Sequence, residues 1–174
     1  NSAEKYIEIV EKTGVIPEIE KRKTILKEAI EECAESQASN ILKDDGLVDI
    51  VTNLVEYPYP VVGRFDKEFL TVPEEVLITA MREHQKYFSL TDDDGNLKPL
   101  FIAVNNTRAK NMTIVERGHE KVLRARLSDA KFFYEVDMES SMDEFAQKLK
   151  KVTFQKSLGS VFDKRERIVD LVTY

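Results

Sequence analysis

Two apolar segments on either side of an acidic turn constrain the fold of this chain more than any other feature. Residues 86–91 alternate well enough for a strand with one buried face. Residues 92–96, DDDGN, consist of the residue types that favour tight loops. Residues 99–104, PLFIAV, follow as a second, largely buried strand. The sequence therefore predicts an antiparallel hairpin, and residues 61–65 predict a further strand.

Amphipathic helical segments precede this hairpin. A short helix is predicted over residues 3–12, ended by Thr13-Gly14, and a longer one from Pro17 to about Asn40. Residues 47–55 repeat apolar side chains at helical spacing. Thr71 is predicted near the N-cap of a helix that continues through VLITAMREH. Helices combined with antiparallel strands indicate an α+β fold, with an antiparallel or mixed sheet and several packed helices.

Charge is distributed unevenly along the chain. The formal net charge is -6, yet residues 105–131 carry seven basic and three acidic residues, a surplus of four positive charges. Most of them lie on a helix predicted from about Val115 to Val136, with Leu123 and Leu127 on its apolar face, widened by Phe133. Two interpretations remain open. Arg126 with Asp129 and Glu120 with Arg124 are spaced as surface ion pairs, or the surplus meets an anion such as a sugar-phosphate backbone.

A second unusual composition occurs in TAMREHQKYF. Arg82, His84, Gln85 and Lys86 bring cationic, imidazole and amide groups together beside two aromatic residues. The same residues suit a helix C-terminus, where positive side chains are favoured by the helix dipole. The segment is therefore either a second polar binding patch or an ordinary helix end.

The C-terminal part is predicted to be helical. Ser141 opens a helix to about Val152, residues 156–160 interrupt it, and residues 161–174 are amphipathic without a stop signal. Because the chain also begins without methionine, we expect a piece of a longer protein. The expected divisions are an N-terminal helical segment at 1–45, an α+β core at 46–138 and a helical linker at 139–174.

Several common chemistries lack their sequence signatures. The chain contains no GxxxxGK[ST], GxGxxG, HExxH or GxSxG pattern. The histidines, His84 and His119, and the single cysteine, Cys33, do not have the spacing of zinc ligands. No apolar run approaches the roughly 20 residues that cross a bilayer. We therefore expect no cofactor, no metal and no membrane partner for this piece, and one cysteine fits a reducing compartment.

Three motifs in order carry a family resemblance. EYPYPVVGRFDKEFLTVPEEVLITAMREHQKYFSLTDDDGNLKPLFIAVNN, then VLRARLSDAKFFYEVD, then FQKSLGSVFDKRERI closely resemble the beta subunit of the bacterial two-subunit glycyl-tRNA synthetase. The resemblance covers residues 15–168. It implies an α2β2 enzyme whose alpha subunit uses ATP and Mg to form the adenylate. It also implies a cytoplasmic protein, a B3/B4-like core at 46–138 and, after it, the start of an HD-type domain.

The resemblance supplies glycine tRNA as the anion that the basic residues meet. The predicted tRNA contacts are the basic and polar residues of the two patches: Arg82, His84, Gln85, Lys86, Arg108, Lys110, Lys121, Arg124 and Arg126. Tyr87 or Tyr134 is a candidate for stacking on a base. No catalytic residue is predicted. The alternatives are a hydrolytic editing module, which would use polar groups such as His84, Gln85 or Asn105, and a purely structural module between domains or subunits.

Overall fold

The computed structural model describes residues 5–174, which form two compact units, the first ending at Lys131 and the second covering Phe132–Tyr174. The α+β class is confirmed. The first unit contains, in chain order, α1 (Tyr6–Lys12), α2 (Ile19–Glu35), β1 (Asn40–Ile41), α3 (Asp45–Leu54), β2 (Tyr59–Arg64), α4 (Glu74–Thr79), β3 (Phe88–Thr91) and β4 (Leu97–Asn105). The long helix α5 (Met112–Met138) begins in the first unit and ends in the second. The expected boundary at residue 45 is not observed, because α2 and α3 pack on the sheet.

One antiparallel sheet organises the first unit, with strand order β1-β3-β4-β2. The predicted hairpin is confirmed, since the N–H of Asp92 donates to the carbonyl of Asn96 at 3.0 Å. The Asp92 carboxylate accepts from the backbone N–H groups of Asp94 and Asn96, and Gly95 takes the positive φ of 87° that the turn needs. The two-residue strand β1 lies where the sequence predicted the end of a helix.

The face of the sheet that meets α2 and α3 holds the main core. Period-2 alternation places Phe88 and Leu90 of β3 on this face, together with Leu100 and Ile102 of β4. They pack against apolar side chains at helical spacing from the two helices, namely Leu26, Ile30, Ala34, Leu47, Val48 and Val51. Cys33 lies at the edge of this cluster, where burial raises the pKa of its thiol. This half of the fold follows directly from the hydrophobic pattern.

The alternate side chains of the strands lie on the other face. Phe101 is fully buried there and stacks on Tyr87, with ring centroids 4.8 Å apart. Gly63 of β2 pairs with Phe101, and a β-carbon at this glycine would meet the ring at 2.3 Å. Glu120 of α5 accepts a 2.9 Å hydrogen bond from the backbone N–H of Arg64, so α5 is fastened to the end of β2. The glycine in this strand is therefore required by a close approach.

The helices differ from the prediction at the end of α2 and around α4. Helix α2 stops at Glu35 rather than near Asn40, because Ala38 adopts a positive φ of 46°. Thr71 is not a helix cap, since it ends a 3₁₀ turn (Lys67–Thr71) and its hydroxyl donates to the carbonyl of Glu68. Helix α4 begins at Glu74, and it continues as a π-helix over Ala80–Gln85. π-turns often occur at functional sites, and this one carries the predicted site residues Arg82, His84 and Gln85.

The second unit is built from the end of α5, α6 (Met142–Lys148), a 3₁₀ turn (Leu149–Lys151), β5 (Thr153–Gln155), β6 (Gly159–Ser160) and α7 (Val161–Val172). The predicted break at 156–160 is the turn of a small antiparallel hairpin. Ser141 and Ser160 each form a capping box, with Glu144 and Asp163 respectively. None of residues 132–174 is buried, and Phe133, expected on the apolar face of α5, is exposed. Within residues 5–174 no helix has both the length and the apolar character to span a membrane.

Candidate functional site

The loop between β4 and α5 presents the first predicted cations. Asn111 caps the long helix, its side-chain oxygen accepting from the backbone N–H groups of Thr113 and Ile114 at 3.1 and 3.4 Å. Arg108 and Lys110 lie just before this cap and are exposed. Neither makes an ion pair or a hydrogen bond with any residue in 5–174. Both charges are therefore available to a solvent-borne anion.

Helix α5 has a buried apolar face and carries exposed cations on another side. Leu123 and Leu127 are fully buried, which confirms the predicted inner face. Lys121 is exposed and has no partner among the described residues, and the same holds for Arg117, which the sequence analysis did not single out. The two are four residues apart and therefore share one side of the helix. They are the clearest candidates on α5 for phosphate contacts.

Arg124 has a partner that the sequence did not reveal. Its Nε and Nη2 atoms each lie 3.2 Å from an oxygen of Asp66, a bidentate pair across 58 residues. The expected pair with Glu120 is absent, because Glu120 accepts from the backbone of Arg64 instead. The guanidinium of Arg124 is thus partly neutralised and helps fasten α5 to the loop after β2. It remains exposed, but it brings less net charge than Lys121.

Arg126 lies on the opposite side of α5 from Arg124. Two residues correspond to about 200° of rotation around a helix, so these two side chains cannot serve one surface. Arg126 is exposed and shows no pair with Asp129 within the described chain. It follows Val122 by four residues and therefore lies one turn further along the same side. The predicted basic helix thus has two cationic flanks rather than one face.

The segment TAMREHQKYF contains the whole π-helix, Ala80–Gln85, and leads through Lys86 into β3. Arg82 donates from Nε to Asp44 at 2.6 Å and also pairs with Glu83. The Arg82 hydrogen bond holds the pKa of both carboxyl groups below their usual values. Lys86 closes the turn in the left-handed region, with φ 58° and ψ 37°, and its Nζ donates to the carbonyl of Glu83. Two positive charges are therefore matched by two negative ones, and both cations support the fold.

Gln85 and Lys86 nevertheless line a groove, whereas His84 is exposed and makes no hydrogen bond or ion pair with residues 5–174. The groove has a volume of about 290 Å³. Its walls are mostly apolar side chains from the end of α3, the end of β4 and α5, and the lining residues are Val51, Leu54, Val55, Gln85, Lys86, Tyr87, Val104, His119 and Val122. Leu54 and Val122 are exposed at its surface.

A hydrogen-bonded chain of three side chains lies beside this groove. The hydroxyl of Tyr87 is 2.7 Å from Nδ1 of His119, and Nε2 of His119 is 2.9 Å from Oδ1 of Asn105. Since Asn105 uses its amide nitrogen to donate to the carbonyl of Tyr59, its oxygen accepts, and His119 carries its proton on Nε2. Tyr87 then donates to Nδ1. With His119 neutral, the polar atoms of these three side chains all have hydrogen-bond partners.

This arrangement does not resemble a hydrolytic centre. Burial lowers the pKa of His119 and raises the pKa of Tyr87 to about 12. Both imidazole nitrogens are already engaged, so neither is left to take a proton from a water, and the phenol does not ionise near neutral pH. Tyr87 is only 5% exposed, so the prediction that it stacks on a base is wrong, whereas Tyr134 is half-buried. Residues 5–174 also contain no group of three His, Cys, Asp or Glu side chains that could hold a metal ion.

Comparisons with known proteins give a consistent assignment. A model of the glycyl-tRNA synthetase beta subunit family matches residues 1–174. The chain is 60% identical over 173 residues to the glycine–tRNA ligase beta subunit of Desulforapulum autotrophicum, covering 99% of this chain and 25% of that protein. It is 50% identical over 169 residues to that of Desulfatibacillum aliphaticivorans, with coverages of 97% and 24%. For Geotalea daltonii the identity is 51% over 162 residues, with 93% and 24%. The chain spans about a quarter of the length of these relatives.

Proposed function

Because the chain belongs to the glycyl-tRNA synthetase beta subunit family, we propose that it is a tRNA-binding and scaffolding module in the ATP-dependent attachment of glycine to its tRNA. In this proposal ATP and Mg act at the alpha subunit, and this piece holds no cofactor. Its partners are glycine tRNA and the alpha subunit of an α2β2 tetramer, in the cytoplasm. The name "beta subunit" supports a multi-subunit enzyme.

One observation carries the RNA-binding role. The loop before α5 and the N-terminal half of α5, up to Arg126, present exposed cations without partners among the described residues, in a chain whose formal net charge is -6. These unpaired cations are Arg108, Lys110, Arg117, Lys121 and Arg126. A sugar-phosphate backbone attracts such charges at long range and gains affinity by counterion release, without needing base-reading groups. Lysine is depleted in protein–protein interfaces relative to the rest of the surface, so Lys110 and Lys121 fit an RNA partner better than a protein one.

The nine predicted contacts do not contribute equally in this proposal. Arg108, Lys110 and Lys121 retain their full charge and serve as the primary phosphate contacts, whereas Arg126, which also retains its charge, lies on the other flank of α5 and meets a separate stretch of the RNA backbone. Arg82, Lys86 and Arg124 are already held by carboxylates, so they add less electrostatic attraction. His84 and Gln85 contribute hydrogen bonds at most.

Charge reversal on α5 tests the proposal. The variant Arg117→Glu/Lys121→Glu removes two unpaired cations without breaking a contact, whereas Arg124→Glu would oppose Asp66 and confuse binding with stability. The matched control is Lys5→Glu/Lys156→Glu, which makes the same charge change at exposed positions outside this helix that also lack partners among the described residues. We expect the α5 variant to weaken glycine tRNA binding by about tenfold to a hundredfold, since each charged hydrogen bond contributes on the order of 1 kcal/mol. Fluorescence anisotropy measures the dissociation constant.

The alternatives predict other outcomes of the same experiment. A module that only joins domains or subunits would show equal tRNA affinity in both variants, together with weaker alpha-subunit association in the α5 variant. An editing module would release glycine or another amino acid from charged tRNA, and His119→Gln would abolish that release. Both ring nitrogens of His119 already make hydrogen bonds, which argues against an editing activity that uses this side chain.

A further inference from the structure

A stacked pair of tyrosines lies at the start of β2, apart from the residues considered above. The ring centroids of Tyr57 and Tyr59 are 4.7 Å apart, with an angle of 27° between the planes. Both residues are half-buried, so each keeps some solvent-accessible surface. Tyr59 begins β2 and Tyr57 lies in the bend just before it, so the two rings meet across Pro58. The other stacked pair among residues 5–174, Tyr87 with Phe101, is buried. Tyr57 and Tyr59 are therefore the stacked pair that a ligand could reach.

The segment that carries these rings is held firmly. Tyr59 pairs with Asn105 in the sheet, and the Asn105 amide donates to the carbonyl of Tyr59 at 3.2 Å. Asn106 accepts from the backbone N–H groups of Glu56 and Tyr57, at 2.5 and 3.4 Å. The prolines at positions 58 and 60 fix φ on either side of Tyr59. A surface that is rigid before binding loses little conformational entropy when a ligand arrives.

The contacts of Asn105 and Asn106 also place the loop that carries Arg108 and Lys110 near the two tyrosines. Arg108 follows Asn106 by two residues, a distance of at most about 7 Å along the backbone. Lys110 follows two residues later, and both side chains are exposed and unpaired within residues 5–174. Glu56 is the acidic residue next to the pair, and it is exposed. An aromatic surface is thus bordered by two free cations and one carboxylate.

We propose that Tyr57 and Tyr59 bind one unpaired base of the tRNA by stacking, while Arg108 and Lys110 contact the adjoining phosphates. Aromatic rings beside cations are the common means by which proteins hold single-stranded RNA, because every base has a π-face and every nucleotide a phosphate. This inference rests on the proposed RNA-binding function and adds a site to it. A base inside a duplex cannot occupy the site, because pairing and stacking together hold it in the helix, whereas a base of a single strand unstacks at low cost.

A fluorescent reporter tests the site directly. The chain contains no tryptophan, so Tyr57→Trp introduces a single indole into the stacked position. Titration with a single-stranded oligoadenylate should quench its emission, whereas a blunt RNA duplex of the same charge should not. Equal emission with both RNAs would overturn the inference, even if glycine tRNA binds elsewhere on the chain.

Affinity measurements on two matched variants complete the test. Tyr57→Leu should weaken tRNA binding by about 5-fold to 150-fold, the range found for loss of one base-aromatic stack, and should leave the salt dependence unchanged. Tyr57→Phe keeps the ring and should bind within twofold of the parent. If both variants bind equally, the stacking site is wrong and the electrostatic role of α5 stands. If the parent binds no tRNA but oligoadenylate still quenches the indole, the proposed tRNA-binding function is wrong, whereas the stacking site for single-stranded RNA is supported.

Discussion

Substitution of Gly63 gives the sharpest test of the packing on the sheet face that carries Phe101 and Tyr87. A β-carbon at this position would lie 2.3 Å from Cζ of Phe101, and 2.7 and 2.9 Å from its two Cε atoms. These distances are far below van der Waals contact. Phe101 is fully buried and stacks on Tyr87, so its ring has no free direction in which to move. Gly63→Ala should therefore cost about 3 kcal/mol, the upper end of the range for overpacking a core.

Thermal unfolding followed by circular dichroism measures this cost. At about 2–4 °C per kcal/mol for a chain of this size, Gly63→Ala should lower the Tm by about 6–12 °C. Phe101→Leu removes the clashing ring atoms, so the double variant should be less destabilised than the sum of the single variants by at least about 1 kcal/mol. Gly118→Ala is the control, since nothing lies within 4 Å of its added methyl group and alanine favours the helix by about 0.5–1 kcal/mol. Additive single and double variants would refute the close contact between Gly63 and Phe101.

Two further predictions concern His119 and Arg82. His119 is neutral in the fold and its pKa is lowered by burial, so below about pH 6.5 the unfolded chain takes up a proton that the folded chain does not. The contribution of His119 to the free energy of unfolding is thus fully present above pH 6.5 and declines as the pH falls, by at most about 1.4 kcal/mol per pH unit. Denaturant unfolding of the parent at pH 7.5 and 5.5 should show this decline, and the decline should be smaller in His119→Gln. Arg82→Gln should leave stability almost unchanged, since its pair with Asp44 is partly exposed, and should leave tRNA affinity within twofold; a larger loss of affinity at unchanged stability would make Arg82 an RNA contact.

The sheet and its class were predictable because local patterns specify them. Residues 86–104 combine alternation, a loop of turn residues and a buried run, and each of these signals acts over a few residues. The strand β1 was missed because two residues, Asn40 and Ile41, carry no periodicity. The π-helix at Ala80–Gln85 was missed because its apolar spacing is close to that of an α-helix. Boundaries thus depended on contacts that a local pattern does not contain.

The candidate site was only partly predictable for a related reason. Composition alone indicated a surplus of cations before and on α5, and the exposed Arg108, Lys110 and Lys121 agree with it. Which cations are neutralised depends on distant carboxylates, such as Asp66 for Arg124 across 58 residues. The pairing of Tyr87 with His119 spans 32 residues and has no sequence signal. The spacing of Tyr57 and Tyr59 was visible in EYPYP, but its meaning required the contacts to Asn105 and Asn106.

The slope of tRNA affinity against salt concentration tests the central claim most directly. Each phosphate neutralised by the protein contributes about 0.9 to the log–log slope, so the parent should show a steep decline in affinity with salt. Replacing Arg117 and Lys121 by glutamate should reduce the slope by about 2, and the Lys5/Lys156 control should leave it unchanged. A shallow slope for the parent, or equal slopes for all three proteins, would contradict an RNA-binding role for α5.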